Sequence, residues 1–128
     1  MKVSYIVTVY NKALYLPLVV QGLATQEGDF EREFIFVDDG STDDSAKVLR
    51  QVKETLPGRV EIIEQLNSGP AVASNKGFEA STGELIKFVD GDDMLLPWAT
   101  KVLTDTMLAA GHIYAFGINP IPVDYDNT

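Results

Sequence analysis

Three aspartates within four residues are the strongest candidates for chemistry in this chain. Asp90, Asp92 and Asp93 follow residues 85–89, a short apolar run typical of a buried strand. Carboxylates this close repel one another, and placing them at the end of a buried strand is costly unless a cation binds there. Such oxygen ligands suit Mg²⁺ or Mn²⁺, and Mg²⁺ commonly binds through one or two carboxylates together with substrate phosphates. The sequence therefore predicts a divalent metal site that faces a phosphorylated ligand.

Ordinary structural explanations stay open for each acidic segment taken alone. Residues 90–93 also fit a solvated acidic turn before a helix, where carboxylates favour the helix dipole. Residues 38–41, Asp-Asp-Gly-Ser, also fit a strand-to-helix turn whose side chains cap free helix N–H groups. Both roles can coexist on neighbouring residues, so neither segment identifies a ligand by itself.

Strands that alternate with helices are predicted to position these residues. Apolar runs rich in Val, Ile and Phe indicate strands, and apolar residues at helical spacing indicate helices between them. The predicted strands cover residues 3–9, 33–37, 60–63, 85–89 and 113–118, and the predicted helices cover residues 16–23, 46–56, 71–80 and 97–110. Such alternation implies right-handed crossovers, so the predicted fold class is α/β, a three-layer α/β/α domain with a mostly parallel sheet.

Local signals predict how some of the helices begin and pack. Asn11 is expected to cap the first helix, and Ser41 with Asp44 matches the spacing of a capping box for the second. On or near one face of the last predicted helix lie Trp98, Val102, Leu103, Met107 and Ala110. We expect Trp98 to pack at the start of that helix.

Four polar segments fall where the predicted strands end. They comprise residues 8–11, 38–42, 67–69 and 90–93. Ligands of open parallel sheets bind at the carboxyl ends of the strands. Topology alone therefore predicts that these segments line one rim and form a binding site.

Composition limits the remaining choices. The 128 residues are enough for one domain with its own core, and the net charge of −9 argues against binding to nucleic acid or to an anionic membrane. The absence of cysteine excludes disulfides and thiolate metal sites. No signal-peptide pattern and no apolar run of about 18 residues is present. We expect a cytoplasmic protein, and peripheral attachment at the inner face of a membrane stays an open alternative for the full-length form.

The polar segments follow the order expected for family 2 glycosyltransferases of the GT-A fold, which the chain resembles over nearly its whole length. The matching motifs are Val7-Thr8-Val9-Tyr10-Asn11-Lys12, Val37-Asp38-Asp39-Gly40-Ser41-Thr42-Asp43, Asn67-Ser68-Gly69, Ala73-Ser74-Asn75-Lys76-Gly77, Thr82-Gly83-Glu84 and Val89-Asp90-Gly91-Asp92-Asp93. Each motif alone is weak, whereas the ordered set is specific. The resemblance implies a Rossmann-like GT-A nucleotide-binding half and a nucleotide-sugar donor, most often a UDP-sugar.

The resemblance also implies a base-binding end of the site. In this family the first motif, here with Thr8, Tyr10 and Asn11, contacts the base, so Tyr10 would lie against uracil. Asp39 would accept a hydrogen bond from uracil N3–H. Asn67 and Gly69 resemble the loop beside the nucleoside.

The phosphate-binding end follows from the same resemblance. Asp90 and Asp92 resemble the Asp-x-Asp motif that contacts ribose and, through Mn²⁺ or Mg²⁺, the diphosphate, and Asp93 is a third candidate metal ligand. Family members usually have Pro at the position of Thr8 and Arg at that of Ser74. The second departure leaves Lys76 as the basic candidate in that segment.

The resemblance sets expectations for the domain and for transfer. We expect residues 1–128 to form a single nucleotide-sugar-binding domain without the acceptor half that carries the catalytic base in this family. The acceptor, a glycan or a lipid-linked molecule, is unknown. Inverting, metal-dependent transfer is expected of the full-length enzyme, and negligible transfer of this chain alone.

Two other classes of function compete with this interpretation. A Mg²⁺-binding phospho-receiver domain also places carboxylates at strand ends, although the lysine expected at the end of its last strand is missing from residues 113–117. A non-catalytic assembly module is the other alternative. Residues 113–118 would leave an uncovered apolar edge, and such an edge favours a homo-oligomer.

Overall fold

Four parallel strands form the sheet in the computed structural model, which describes residues 1–110. The strands are β1 (Lys2–Val9), β2 (Glu31–Asp38), β3 (Arg59–Glu64) and β4 (Leu85–Asp90), in the order β3-β2-β1-β4. The helices are α1 (Leu16–Ala24), α2 (Ser45–Val52), α3 (Pro70–Ala80) and α4 (Ala99–Ala110), and a 3-10 turn (Lys53–Thr55) extends α2. This arrangement confirms the predicted α/β fold with a parallel sheet.

The side chains of the two central strands, β1 and β2, point alternately to the two faces of the sheet and so form a core of two layers. Side chains of successive strand residues point to opposite faces. One face of the sheet, including Tyr5 and Phe34, packs against α1, α2 and α4 through a large apolar cluster. The opposite face packs Ile35 and Val37 against Ala73 of α3. The sheet is therefore covered on both faces by apolar packing. Polar groups that could contact a ligand lie at the ends of the strands.

The buried face of α4 differs from the predicted one. Trp98 and Val102 are 52% and 54% exposed, so the expected packing of Trp98 is wrong, whereas Thr100 and Met107 are buried. Thr100 Oγ1 donates to Gln26 Oε1 at 2.6 Å and lies 2.7 Å from the hydroxyl of Tyr5. The buried face of this helix therefore combines the hydrogen-bonded Thr100 with the apolar side chain of Met107.

A buried carboxylate joins the strands at their amino ends. Glu33 of β2 has no exposed surface, and it accepts hydrogen bonds from Ser4 Oγ at 2.5 Å and from the backbone N–H of Thr82 at 2.6 Å. Arg59 of β3 and Lys2 of β1 lie 2.9 and 3.6 Å from it. Burial by itself raises the pKa of Glu33, but these hydrogen bonds and Lys2 lower it to about 2. This end of the sheet is thus fixed by a network distinct from the polar segments at the carboxyl ends.

Two expectations lie outside the described residues. The predicted fifth strand, residues 113–118, follows the last described residue. The uncovered edge and the homo-oligomer inferred from it therefore stay predictions.

Among residues 1–110, none of the helices has the length and hydrophobicity that crossing a bilayer requires.

Candidate functional site

A cavity of about 460 Å³ opens at the carboxyl ends of the strands. Because β1 lies between β2 and β4, strand pairing places Thr8 beside Asp90 and Val9 beside Asp38. The loops that follow all four strands therefore meet around one opening. The cavity is lined by Thr8, Val9, Tyr10, Lys12, Asp39, Asn67, Gly69, Pro70, Ala73, Asp90, Gly91 and Asp92.

Two of the three predicted metal ligands, Asp90 and Asp92, line the acidic end of the cavity, and Asp93 lies beside them. Oxygen atoms of Asp90, Asp92 and Asp93 all lie within 4.8 Å of one another. The backbone N–H of Asp90 donates to Asp93 Oδ2 at 3.1 Å, which closes the turn. Partial desolvation and the charges of Asp93 and Asp92 raise the pKa of Asp90. Converging oxygen atoms with mutual repulsion fit a hard divalent cation such as Mg²⁺ or Mn²⁺.

Asp39 organises the other end of the cavity. Its Oδ1 accepts from Gln65 Nε2 at 2.9 Å and from the backbone N–H of Ser68 at 2.7 Å. Its Oδ2 accepts from the backbone N–H of Gly69 at 3.0 Å and from Asn67 Nδ2 at 3.2 Å. Burial by itself raises the pKa of Asp39, but the bonds from Gln65 and from the backbone N–H groups of Ser68 and Gly69 hold that pKa below its usual range, so the side chain is a carboxylate at neutral pH.

The four donors fill the acceptor capacity of the Asp39 carboxylate, which has about four lone-pair sites. A ligand N–H group that hydrogen-bonds to Asp39 must therefore displace one of the four donors or share its acceptor site. The side-chain amide of Asn67 makes the longest of these bonds. Gln65 and Asn67 donate through side chains, which can rotate without moving the loop backbone, although Asn67 Nδ2 also donates to the backbone oxygen of Asp39 at 2.9 Å. A ligand would therefore displace a side-chain donor at lower cost than the backbone N–H of Ser68 or Gly69.

Asn11 fastens the loop after β1 to the loop before α2. Its Oδ1 accepts from the backbone N–H of Thr42 at 2.8 Å and of Asp43 at 3.2 Å, and its own N–H donates to Ser41 Oγ at 2.9 Å. The expected Asn11 cap of α1 is therefore wrong, because Tyr15 occupies the N-cap position and makes no side-chain cap. The expected capping box also fails, because Ser41 Oγ is engaged with Asn11 and Asp44 forms no side-chain cap.

A lysine reaches across the acidic end of the cavity. Lys12 Nζ lies 3.0 Å from Asp92 Oδ2 and 5.8 Å from the centre of the Tyr15 ring. The hydrogen bond to Asp92 and its charge raise the pKa of Lys12, which keeps the ammonium charged at neutral pH. Two neighbouring side chains at this end therefore carry opposite charges while both line the cavity.

The structure brings together most of the residues that the sequence nominated. Lining residues include Thr8, Tyr10, Asp39, Asn67, Gly69, Asp90 and Asp92, and Asp93 completes the carboxylate cluster. Asn11 and Lys76 are both exposed and lie outside the lining, Asn11 in the loop after β1 and Lys76 on α3. Their predicted ligand contacts stay predictions.

Two residues with a clear place in the site received no role from the sequence. Lys12 ends the first matching motif, and Gln65 follows directly after β3. The available sequence signal for both was their position shortly after a predicted strand, where the ligand-binding loops of a parallel sheet lie. Neither residue type marks a ligand site by itself, and the partners Asp92 and Asp39 are 80 and 26 residues away in sequence.

Known proteins match this chain in sequence over most of its described length. The family model for glycosyl transferase family 2 matches residues 4–125. An uncharacterized glycosyltransferase of Nostoc is 41% identical over 97 residues, which are 76% of this chain and 30% of the relative. The chain spans between 13% and 30% of the length of these curated relatives.

Solved structures match in fold as well. Staphylococcus aureus TarS (residues 1–349), solved in complex with UDP, has a TM-score of 0.73 and 31% identity, with 85% of this chain and 32% of that chain covered. The mannosyltransferase PcManGT of Pyrobaculum calidifontis, in complex with GDP-Man and Mn²⁺, has a TM-score of 0.75 and 25% identity, with coverage of 82% and 32%. The sheet is Rossmann-like and of the GT-A type, with Asp39 and an acidic cluster at its carboxyl edge. Together with the sequence and structure matches, this shows that the chain belongs to glycosyl transferase family 2.

Proposed function

We propose that the cavity binds the nucleotide-sugar donor of a glycosyltransferase, with a UDP-sugar as the preferred donor and a divalent metal as cofactor. The observation that carries the proposal is one cavity with a hydrogen-bonded carboxylate, Asp39, at one end and converging carboxylates at the other. TarS has been solved with UDP and with UDP-GlcNAc, and PcManGT with GDP-Man and Mn²⁺, which supports a donor of this class.

At the base end, Asp39 would select the nucleobase. A carboxylate accepts from the N3–H of uracil, whereas N3 of cytosine is itself an acceptor and would be repelled. Tyr10 lines the cavity and is 45% exposed, so its ring is available to stack on the base. A side-chain donor, Asn67 or Gln65, would release Asp39 as the base enters.

At the phosphate end, Asp90, Asp92 and Asp93 would hold Mg²⁺ or Mn²⁺. A divalent ion there supplies Lewis-acid neutralisation of the charge on a leaving nucleoside diphosphate. Asp90 sits next to the hydroxyl of Thr8, which donates to its Oδ1 at 3.4 Å. This bond engages one of the two carboxylate oxygens of Asp90.

Transfer itself needs an acceptor and a base beyond this cavity. We propose inverting displacement, in which a carboxylate takes the proton of the acceptor hydroxyl as it attacks the sugar. Among residues 1–110 no side chain is assigned that role. A glycan or a lipid-linked molecule is the acceptor class we propose.

Isothermal calorimetry tests the donor site. UDP is titrated into the chain with Mn²⁺ and with EDTA, and CDP serves as the comparison nucleotide. We expect binding of UDP in Mn²⁺ that weakens at least about tenfold, equivalent to about 1.4 kcal/mol, in EDTA or with CDP. Equal affinity for UDP and CDP would contradict the role of Asp39.

A matched pair of variants separates the metal site from general charge. Asp92→Ala removes one ligand of the cluster, whereas Asp105→Ala removes an exposed carboxylate on α4 that pairs with Lys101. We expect Asp92→Ala to lose the Mn²⁺-dependent part of UDP binding and Asp105→Ala to retain it. Circular dichroism serves as the check that both variants are folded. If Asp92→Ala bound UDP and Mn²⁺ like the parent, the metal assignment would be wrong.

A further inference from the structure

Lys12 is the cationic residue of the cavity. Among the cavity-lining residues of the described chain, it is the one that carries a positive charge, and the same lining includes Asp39, Asp90 and Asp92. Its Nζ lies 3.0 Å from Asp92 Oδ2. Ser74 stands where the family usually has Arg, and Lys76 lies outside the lining, so neither supplies positive charge to the cavity.

The backbone directs Lys12 into this position. Asn11 adopts a positive φ of 52°, which turns the chain as it leaves β1, and the N–H of Lys12 donates to Ser45 Oγ at 2.8 Å. The aliphatic part of the lysine then lies against the acidic turn. A Cβ atom at Gly91 would be 3.0 Å from Lys12 Cγ and 3.1 Å from the carbonyl oxygen of Thr8. Glycine at this position therefore leaves the space that the lysine stem occupies.

The charge of Lys12 matters both when the site is free of metal and when a divalent ion is bound. Without a metal, its ammonium offsets the carboxylates of the cluster. A divalent ion that binds Asp92 draws on the same carboxylate to which Lys12 donates, and two cations held at one carboxylate repel each other, so they compete for it. A displaced ammonium still has three N–H donors, and lysine binds phosphate groups as a point charge.

We propose that Lys12 is an internal counter-ion of Asp92 that moves to the donor diphosphate when the metal takes Asp92. The inference rests on the proposed donor site and deepens it. It assigns Lys12 two effects of opposite sign. The lysine weakens metal binding to the empty site and strengthens binding of a nucleoside diphosphate to the metal-loaded site. An ion pair outside the cavity, such as that of Lys101 with Asp105, would have neither effect.

The test measures Mn²⁺ and nucleotide affinity separately in Lys12→Met, which keeps the stem against Gly91 and removes the charge. Free Mn²⁺ is followed by electron paramagnetic resonance in the absence of nucleotide. Because exposed pairs are weak, we expect Mn²⁺ to bind about two- to fivefold more tightly to the variant. UDP in saturating Mn²⁺ should then bind about tenfold or more weakly, because a charge-assisted hydrogen bond to phosphate is lost.

Two controls make the result specific. Lys101→Met removes an exposed lysine that pairs with Asp105 outside the cavity, and it should change neither affinity. Uridine, which lacks phosphate, should bind Lys12→Met and the parent equally. Lys12→Arg keeps the charge and should retain most of the UDP affinity.

The outcomes separate this inference from the proposed function. If the parent binds UDP with Mn²⁺ but Lys12→Met leaves Mn²⁺ affinity unchanged or weaker, the counter-ion role is refuted and the donor site stands. Unchanged UDP affinity in Lys12→Met refutes the contact with the diphosphate. If the parent binds Mn²⁺ but no UDP, the proposed function fails and the second half of the inference fails with it, while the Mn²⁺ comparison still decides the first half.

Discussion

Replacing Glu33 with Gln should destabilise the fold at the end of the sheet opposite the cavity. Glu33 is fully buried and accepts from Ser4 and Thr82 while Arg59 lies 2.9 Å away. Glutamine has nearly the same shape, but it lacks the charge and turns one acceptor into a donor. That donor would face the N–H groups that now point at the carboxylate.

The magnitude follows from the pKa of Glu33. Lowering that pKa from an ordinary value of 4.5 to about 2 corresponds to about 3 kcal/mol of stability at neutral pH, at about 1.4 kcal/mol per pH unit. Because the folded-state pKa is the lower one, this contribution is complete above about pH 4.5. It is lost as the pH falls from there towards 2.

Urea unfolding at several pH values measures the effect. At pH 7 we expect Glu33→Gln to lose about 3 kcal/mol, and between pH 4.5 and 2 its stability should fall less steeply than that of the parent. Glu61→Gln is the matched control, because Glu61 pairs with the same Arg59 at 2.7 Å but its side chain is 36% exposed. It should cost at most about 1 kcal/mol. A loss below 1 kcal/mol for Glu33→Gln, or an unchanged acid dependence, would refute the reasoning.

Two further substitutions test the cavity loop and the buried polar network. Gly40 has φ of 75°, and a Cβ there would lie 2.7 Å from the backbone nitrogen of Asn67, so Gly40→Ala should displace the loop held by Asp39 and weaken UDP binding about tenfold. Calorimetry against Gly28→Ala, which has φ of 130° but lies outside the cavity lining, checks this, and equal UDP affinity in both variants would contradict it. Thr100→Val should cost about 1–3 kcal/mol in urea unfolding, because Tyr5 loses its buried partner, whereas Thr106→Val at an exposed position should be nearly neutral. A neutral Thr100→Val would show that the network does not stabilise the fold.

The parallel sheet and the position of the cavity were predictable because both follow from short-range pattern and topology. Apolar runs such as residues 85–89 are long enough for a strand covered on both faces, and the crossovers bring all carboxyl ends to one edge. Asp39 and the acidic cluster were therefore placed correctly from their positions after strands. The ordered motifs then identified the family.

The partners of polar side chains were not predictable, since they depend on contacts between distant segments. Asn11 next to a predicted helix resembles a cap, yet it accepts from N–H groups 31 and 32 residues away. Thr100 faces the core only because Gln26 and Tyr5 supply its hydrogen bonds. Lys12 and Gln65 were missed for the same reason, since their carboxylate partners lie on other loops.

Chemical-shift mapping of the ¹⁵N-labelled chain tests the donor site most directly. UDP is added in the presence of Mg²⁺, and a small fraction of the Mg²⁺ is then replaced by paramagnetic Mn²⁺. We predict shifts in the backbone signals of residues 8–12, 39–41, 67–73 and 90–93, with the strongest paramagnetic broadening at residues 90–93. Shifts that instead cluster around Glu33 and Thr82 at the opposite end of the sheet, or an absence of broadening at residues 90–93, would contradict the account.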